Sequence, residues 1–314
     1  MTAFWPAYWI TLRPYLFFVS GASGLVGLAL AGGMPWLPFA AALTAFLLAY
    51  GLGQAVTDVF QTDTDALSAP YRPLVRGDIG RAPVLAVSLA GLLLCGVTLF
   101  ALNTWTAPLT AAAVVGLLTY TPAKRRFWAG PAWNSWIVAL LPAVGLLCGK
   151  DALGALGSRH LAWAVASVFF SYAVFVLLGY LKDVEADRRT GYDTLPVRFG
   201  RTPTVAVSAA CAAASAASSA ALVAGSTPFA TIGGALGLAG WLGAIVLLAR
   251  AHLLALAVTR DDDAHPAIAL SVRGYVALHL AESALLRPTL AVLALALYVA
   301  FDLILRRRPC ASQI

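Results

Sequence analysis

Nothing constrains the fold of this chain more than its long apolar runs, about nine stretches of some 20 residues, each long enough to cross a bilayer as a helix. They fall near Tyr15–Gly33, Trp36–Val56, Ala82–Leu102, Trp105–Tyr120, Ala132–Gly149, His160–Leu181, Thr204–Gly225, Pro228–Leu248 and Arg287–Leu305. Between Ala267 and Leu286 the apolar pattern is interrupted by Arg273, His279 and Glu282, which reads as a partly amphipathic helix leading into the last span. Of 314 residues 61% are apolar and 11% charged, against roughly 25% charged in soluble domains. The expected fold is all-α, a polytopic membrane protein forming one integral-membrane domain over residues 1–314. The start, "MTAFWPAYWITLRP", lacks the basic region and small-residue cleavage pattern of a signal peptide, so the first run is expected to stay as a helix.

Basic residues set the expected sidedness. With the spans numbered as above, Arg13, Arg72, Arg76, Arg81, Lys124, Arg125, Arg126, Lys182, Arg188, Arg189, Arg198 and Arg201 share one side, and Lys150 and Arg159 lie on the other. Lysine and arginine accumulate in cytoplasmic loops, so the first side is expected to be cytoplasmic, in the cell inner membrane. Arg306–Arg308 run against this, because an odd number of spans puts them on the opposite side.

The acidic residues gather in two loops on the basic side. "TDVFQTDTDALSAPYRP" (Thr57–Pro73) follows the second span, and "KDVEADRRTGYDTLPVRFG" (Lys182–Gly200) follows the sixth. At an offset of 122 residues Gln61 falls on Asp183, Asp65 on Asp187, and Val75-Arg76 on Val197-Arg198. After a slip of two, "GRAPVLAVS" matches "GRTPTVAVS". The chain is therefore expected to hold two four-helix repeats, residues 15–122 and 132–250, with a last helix at 287–305. Both loops emerge on one membrane face, so the repeats are parallel, related by an axis along the membrane normal, and surround a central cavity.

Asp183 and Asp187 are i and i+4, and Asp58, Gln61 and Asp65 are i, i+3 and i+7, so each set is expected on one face of a helix end. Carboxylates that close repel unless something positive lies between them. Magnesium suits the position, since it takes carboxylate oxygens together with substrate phosphate oxygens. Arg72, Lys124, Arg125, Lys182 and Arg198 stand ready to neutralise the rest of an anion, and Arg13 to grip a polar head. Asp63 and Glu185 point off these faces, and "TRDDDAHP" (Thr259–Pro266) reads as a solvated loop. The four histidines and four cysteines show no metal-ligand spacing.

These residues resemble the UbiA superfamily of intramembrane prenyltransferases, whose members carry NDxxDxxxD in the first loop and DxxxD in the second. "LKDVEADRRTGYDTLPVRFG" is similar to the second motif and its sequel, Tyr120 and Lys124 match YxxxK, "LRPY" (Leu12–Tyr15) matches an N-terminal element, and "DALSAPYRPLVRG" matches the tail of the first motif. The first motif departs from the pattern, with Thr57 in place of asparagine and Gln61 in place of the middle aspartate.

The resemblance implies that Mg2+ held by Asp58, Gln61, Asp65, Asp183 and Asp187 grips an isoprenyl diphosphate. Arg13, Arg72, Tyr120, Lys124, Lys182 and Arg198 would bind substrate, and an allylic carbocation would form in a dry cavity. Among Tyr50, Trp133, Trp136, Phe169, Phe170, Tyr172 and Phe175, some are expected to line that cavity and stabilise the cation. The expected partners are the isoprenyl diphosphate, a lipophilic or aromatic acceptor and the lipid bilayer, with no nucleic acid. Prenyl transfer to an aromatic acceptor is the first reading. A cyclase that closes the prenyl chain on itself is the alternative, to which the altered first motif lends weight. A non-enzymatic carrier would predict acids inside the spans, and the first eight have none in their cores.

Overall fold

A computed structural model describes residues 4–149, 152–309 and 313; Lys150 and Cys310 lie outside them. The chain begins with α1 (Phe4–Leu12), which meets α2 (Phe17–Leu30) at a 41° bend. Then come α3 (Trp36–Phe60), the short α4 (Thr62–Ser68) and α5 (Pro73–Arg76), α6 (Arg81–Leu102) and α7 (Thr106–Arg126). The second half follows the same order: the joined pair α8 (Gly130–Ala139) and α9 (Leu141–Leu147), α10 (Arg159–Gly179), the short α11 (Val184–Arg189) and α12 (Leu195–Phe199), α13 (Arg201–Val223) and α14 (Ile232–Leu256). Last are α15 (His265–Leu286) and α16 (Ala291–Arg306). Among the described residues there is no strand.

Seven helical segments are long and apolar enough to cross a membrane on their own, or eight with the bent first pair. Their outer faces expose Leu93 and Leu94 on α6, Leu253 on α14 and Val292 on α16. Exposed apolar side chains over whole helix faces suit lipid rather than water. Two further helices fall outside that group for reasons of composition: α7 ends in Lys124, Arg125 and Arg126, and α15 carries Arg273, His279 and Glu282.

α15 corrects the expectation of an amphipathic approach to the last span. It is a continuous 22-residue helix, about 33 Å long at 1.5 Å per residue, and it is buried on nearly every side against α2, α10, α14 and α16. Its polar groups are matched inside the bundle. Ser171 on α10 is hydrogen-bonded to His279 Nε2 (2.7 Å), His279 Nδ1 to Glu282 Oε2 (2.7 Å), and Ser167 Oγ donates to Glu282 Oε1 (2.6 Å). α15 runs back across the bundle, because Arg287 at its end donates to the carbonyl of Gly32 in the α2–α3 turn, away from the acidic loops. α16 then returns, so that Gln313 Nε2 reaches the carbonyl of Ile10 (3.2 Å) beside Arg13. α15 and α16 thus run along the bundle in opposite directions, and Arg306–Arg308 fall at the end that carries the other basic loops.

Equivalent places in the two halves meet at the centre. Tyr50 on α3 and Tyr172 on α10 are 122 residues apart and share a hydrogen bond of 2.9 Å.

Candidate active site

Each acidic loop is built on a helix break. The backbone at Gln61 (φ −118°, ψ 15°) and at Asp183 (φ −115°, ψ 10°) leaves the helix in the same way, ending one helical segment and starting the next. Asp65 N then bonds to Gln61 O (2.9 Å), and Asp187 N to Asp183 O (2.7 Å). The i, i+4 relation is therefore real in both loops. The longer i, i+7 face expected for Asp58, Gln61 and Asp65 is not one helix, because Asp58 closes α3 and Asp65 belongs to α4.

In the first loop the acids meet arginines. Arg13 is, among the described residues, the only non-glycine with positive φ (φ 50°, ψ 71°), a left-handed conformation that costs about 1 kcal/mol. It sits at the bend between α1 and α2 and points its guanidinium at Asp58 Oδ2, 2.6 Å away. Gln54, one turn back on α3, donates to Asp58 Oδ1 (2.8 Å). Arg72 lies 3.4 Å from the same Oδ1 and also pairs with Asp65. Gln61 turns its amide nitrogen to the hydroxyl of Thr121 (3.1 Å).

In the second loop the partners are lysines. Lys182 Nζ is 3.3 Å from Asp183 Oδ1, and Lys124, from the last turn of α7, is 3.1 Å from Asp187 Oδ1. Lys124 also lies 4.9 Å and 4.8 Å from the ring centres of Tyr180 and Tyr192, cation–π contacts that hold its stem in place. The Tyr120 and Tyr180 hydroxyls share a bond of 2.9 Å. Asp187 Oδ2 is buried without a hydrogen-bond partner.

Burial and neighbouring charge act against each other here. Burial raises the Asp65 carboxyl above its ordinary range, Arg72 drawing it back only in part. Burial pushes Asp187 up to about 6, with Lys124 opposing and Asp183 adding to the rise. Asp183 goes the other way: burial would raise it, but Lys182, Lys124 and Arg72 together hold it below the usual carboxylate range. Burial disfavours the Arg72 charge, and Asp65 and Asp58 more than offset this.

These groups form the polar end of a cavity of about 240 Å³. Arg13, Asp58, Gln61, Asp65, Arg72, Tyr120, Lys124, Lys182 and Asp183 all line it. Deeper in, Leu92, Leu117, Ile137, Leu141 and Val176 make an apolar wall, with Tyr50, Tyr172 and Phe175 among them. Trp133, Trp136, Phe169 and Phe170 are not in that wall. Asp187 stands behind Lys124 and off the cavity surface, fully buried. Arg198 is elsewhere: it is exposed and pairs with Asp193 at 2.9 Å. Arg125 likewise turns outward to Asp63 (2.6 Å), and Glu185 to Arg188 (2.5 Å). The loop Thr259–Pro266 is less free than its composition implies, since Asp261 pairs with Arg201 and accepts from the backbone of Glu185 (2.9 Å).

Among the cavity residues that escape the sequence reading are Gln54, Tyr180 and Gln313. Gln54 is legible in hindsight from its i, i+4 relation to Asp58, and Tyr180 from its offset of 60 from Tyr120, its hydrogen-bond partner, only once the fold is known. Gln313 carries no sequence signal; its carbonyl accepts from Tyr15 Oη at 2.8 Å.

A helical membrane bundle with acids and bases converging at one end of an apolar-walled cavity has the build of an enzyme for lipophilic anions. The chain belongs to the UbiA prenyltransferase family, whose sequence profile matches residues 17–270. It is 30% identical over 257 residues to the digeranylgeranylglyceryl phosphate synthase of Natronomonas pharaonis, covering 80% of this chain and 85% of that one. It is 31% identical over 202 residues to the enzyme of the same name from Halobacterium salinarum, covering 63% and 70%. In fold it resembles a UbiA homologue from Aeropyrum pernix (TM-score 0.68, 21% identity, 84% of this chain and 96% of that one). It also resembles one from Archaeoglobus fulgidus solved with DMAPP and Mg2+ (TM-score 0.58, 20% identity, 69% and 77%). The protein is accordingly a prenyltransferase by family.

Proposed function

We propose that this chain transfers an isoprenyl group from an isoprenyl diphosphate to a lipophilic acceptor of the glyceryl phosphate type. The observation that carries it is the cavity: fixed cations and carboxylates at one end, hydrocarbon and tyrosine walls at the other. A substrate with a diphosphate head and a prenyl tail matches both ends at once. The acceptor class rests on the name shared by the relatives from Natronomonas pharaonis and Halobacterium salinarum, and it replaces the aromatic acceptor of the sequence reading.

The donor set fits magnesium. Among the described residues no three acidic, histidine or cysteine side chains form a ready-made cage. Mg2+ needs none, since it keeps waters and binds through one or two carboxylates plus substrate phosphates. The Archaeoglobus fulgidus homologue was solved bound to DMAPP and Mg2+. Hard carboxylate oxygens line the cavity on Asp58, Asp65 and Asp183, with Asp187 behind Lys124, one of its oxygens buried and without a hydrogen-bond partner. When bound, the ion supplies Lewis acidity to the departing diphosphate.

The chain's own residues supply the rest. Arg72, Arg13, Lys124 and Lys182 neutralise the diphosphate oxygens as the C–O bond breaks, a preorganised stabilisation of developing charge. Asp58 and Asp65 aim the arginines, and Asp187 aims Lys124. Tyr50, Tyr172 and Phe175 line the space in which the allylic carbocation forms and supply aromatic electrons to stabilise it, and the apolar wall keeps water from capturing it. The end of the bundle on which the loops sit is the basic one, and by the charge rule it faces the cytoplasm.

Product analysis by mass spectrometry tests this. Membranes containing the protein are given Mg2+, isoprenyl diphosphates of increasing length, and either a prenylglyceryl phosphate, an aromatic acid or no acceptor. An adduct that needs the glyceryl phosphate supports the reading. An adduct with the aromatic acid alone moves the acceptor class, and a terpene formed without acceptor makes the chain a cyclase.

A further inference from the structure

The left-handed backbone at Arg13 (φ 50°, ψ 71°) aims its guanidinium at Asp58, 2.6 Å away, in the wall of the cavity. A non-glycine residue keeps such a conformation only where its surroundings over-determine it. Local bonds supply part of the hold: Arg13 N donates to Ile10 O and Leu16 N to Arg13 O, at 3.3 Å and 2.8 Å. The first of these is long.

The rest of the hold comes from some 300 residues further along the chain. α16 packs against the turn Pro14–Leu16 that follows Arg13, and its Phe301 ring lies 5.8 Å from that of Phe18. Gln313, beyond α16, then ties down both sides of Arg13. Its Nε2 donates to Ile10 O (3.2 Å), three residues before, and its carbonyl accepts from Tyr15 Oη (2.8 Å), two residues after. Ile10 O therefore takes the Arg13 amide and the Gln313 side chain together. Gln313 is 5% exposed and lines the cavity beside Arg13, Tyr15 and Leu16. A buried residue whose side chain and carbonyl are both committed to the α1–α2 bend fixes that bend from outside it.

Resting on the prenyltransferase reading, we propose that Gln313 is a positioning residue for diphosphate binding: it braces the bend between α1 and α2 and so keeps Arg13 in the conformation that presents its guanidinium to the anion. Without the brace Arg13 relaxes toward the right-handed region and its side chain leaves the cavity. The apparent affinity for the diphosphate then falls with the fraction of chains still poised to bind.

A double-mutant cycle on binding tests this. Detergent-solubilised protein with Mg2+ is titrated calorimetrically with geranyl S-thiolodiphosphate, an unreactive analogue. Gln313→Ala should weaken binding about fivefold, the scale of one neutral hydrogen bond. In an Arg13→Gln chain the same change should weaken it by less than about 1.5-fold, because the group being aimed is gone. Tyr15→Phe removes the bond on the other side and should show the same dependence on Arg13, which keeps the test open if Gln313→Ala does not fold. An equal loss with and without Arg13 would overturn the proposal, since a Gln313 that only stabilises the fold, or touches the substrate itself, acts whether or not Arg13 is there. Binding by Gln313→Ala within about 1.5-fold of the unaltered chain would overturn it too, leaving prenyl transfer intact. An unaltered chain that binds no analogue would overturn the prenyltransferase reading, and this inference with it.

Discussion

At Gln61 and at Asp183 the chain leaves a long helix by nearly the same dihedral angles and starts a short one, yet the side chains gathered around the two breaks differ in kind. Around the first are Arg13, Arg72, Gln54 and two carboxylates whose oxygens are largely spoken for. Around the second are Lys124, Lys182, Thr194 and two carboxylates, with Arg72 reaching Asp183 only through its charge. Two breaks alike in backbone can still differ in the side chains they present. The comparison teaches that acidic residues at equivalent positions need not do equivalent work.

The largest effect is expected where the two loops are made alike. Thr194→Arg places a guanidinium beside Asp187 as Arg72 stands beside Asp65, and should lower kcat/KM for the isoprenyl diphosphate by about 10³-fold, the scale of losing a preorganised charge-stabilising group. Activity within a few-fold of the unaltered chain would break the comparison. Next, Arg72→Gln leaves Asp58 and Asp65 short of charge in a buried place and should cost about 3 kcal/mol of stability, read from thermal unfolding in detergent. Lys182→Gln, whose partner Asp183 is 16% exposed, should cost less than half of that by the same measurement.

A pH titration sharpens the contrast further. Burial raises the Asp187 carboxyl to about 6, so below that pH it takes up a proton and its charge no longer holds Lys124, while above it the pair is intact. Turnover of the isoprenyl diphosphate should therefore fall as pH drops from 7 to 5, approaching about tenfold per unit at the acid end. A flat profile would mean that the charge on Asp187 is not needed to aim Lys124. The smallest effect is expected at Arg198. It and its counterpart Arg76 both turn outward to neighbouring aspartates, at 2.9 Å and 3.2 Å, and Arg198→Ala should change stability by less than about 0.5 kcal/mol and activity less than about twofold.

The sequence makes the acids legible because the repeat places them twice; it does not show which cation each one meets. Arg13 reaches Asp58 from 45 residues away, through a left-handed kink that no local pattern announces. Lys124 and Arg125 are neighbours of the same charge, yet one faces the cavity and the other Asp63, a difference of helix phase at the end of α7. Arg198 shows the same limit: its position in the repeat is right, but α12 carries it to the surface. α15 is misread for a different reason. Its His279 and Glu282 look like a polar face until Ser167 and Ser171 on α10 are seen to satisfy them, and those partners lie more than 100 residues upstream.

That arrangement in α15 governs how the protein is made. A charged residue near the centre of a helix opposes its release into lipid by about 2.5–3.5 kcal/mol, so the segment carrying Arg273 and Glu282 is a poor candidate to leave the translocon alone. The serines that satisfy His279 and Glu282 emerge from the ribosome earlier, on α10, and α14 precedes α15 directly in the chain, whereas the partner of Arg273 is Asp302 on α16 (2.9 Å), which emerges last. Insertion of the last two crossings is thereby tied to assembly of the helices before them, and a nascent chain that stops short of α16 still has its final polar helix waiting for a berth.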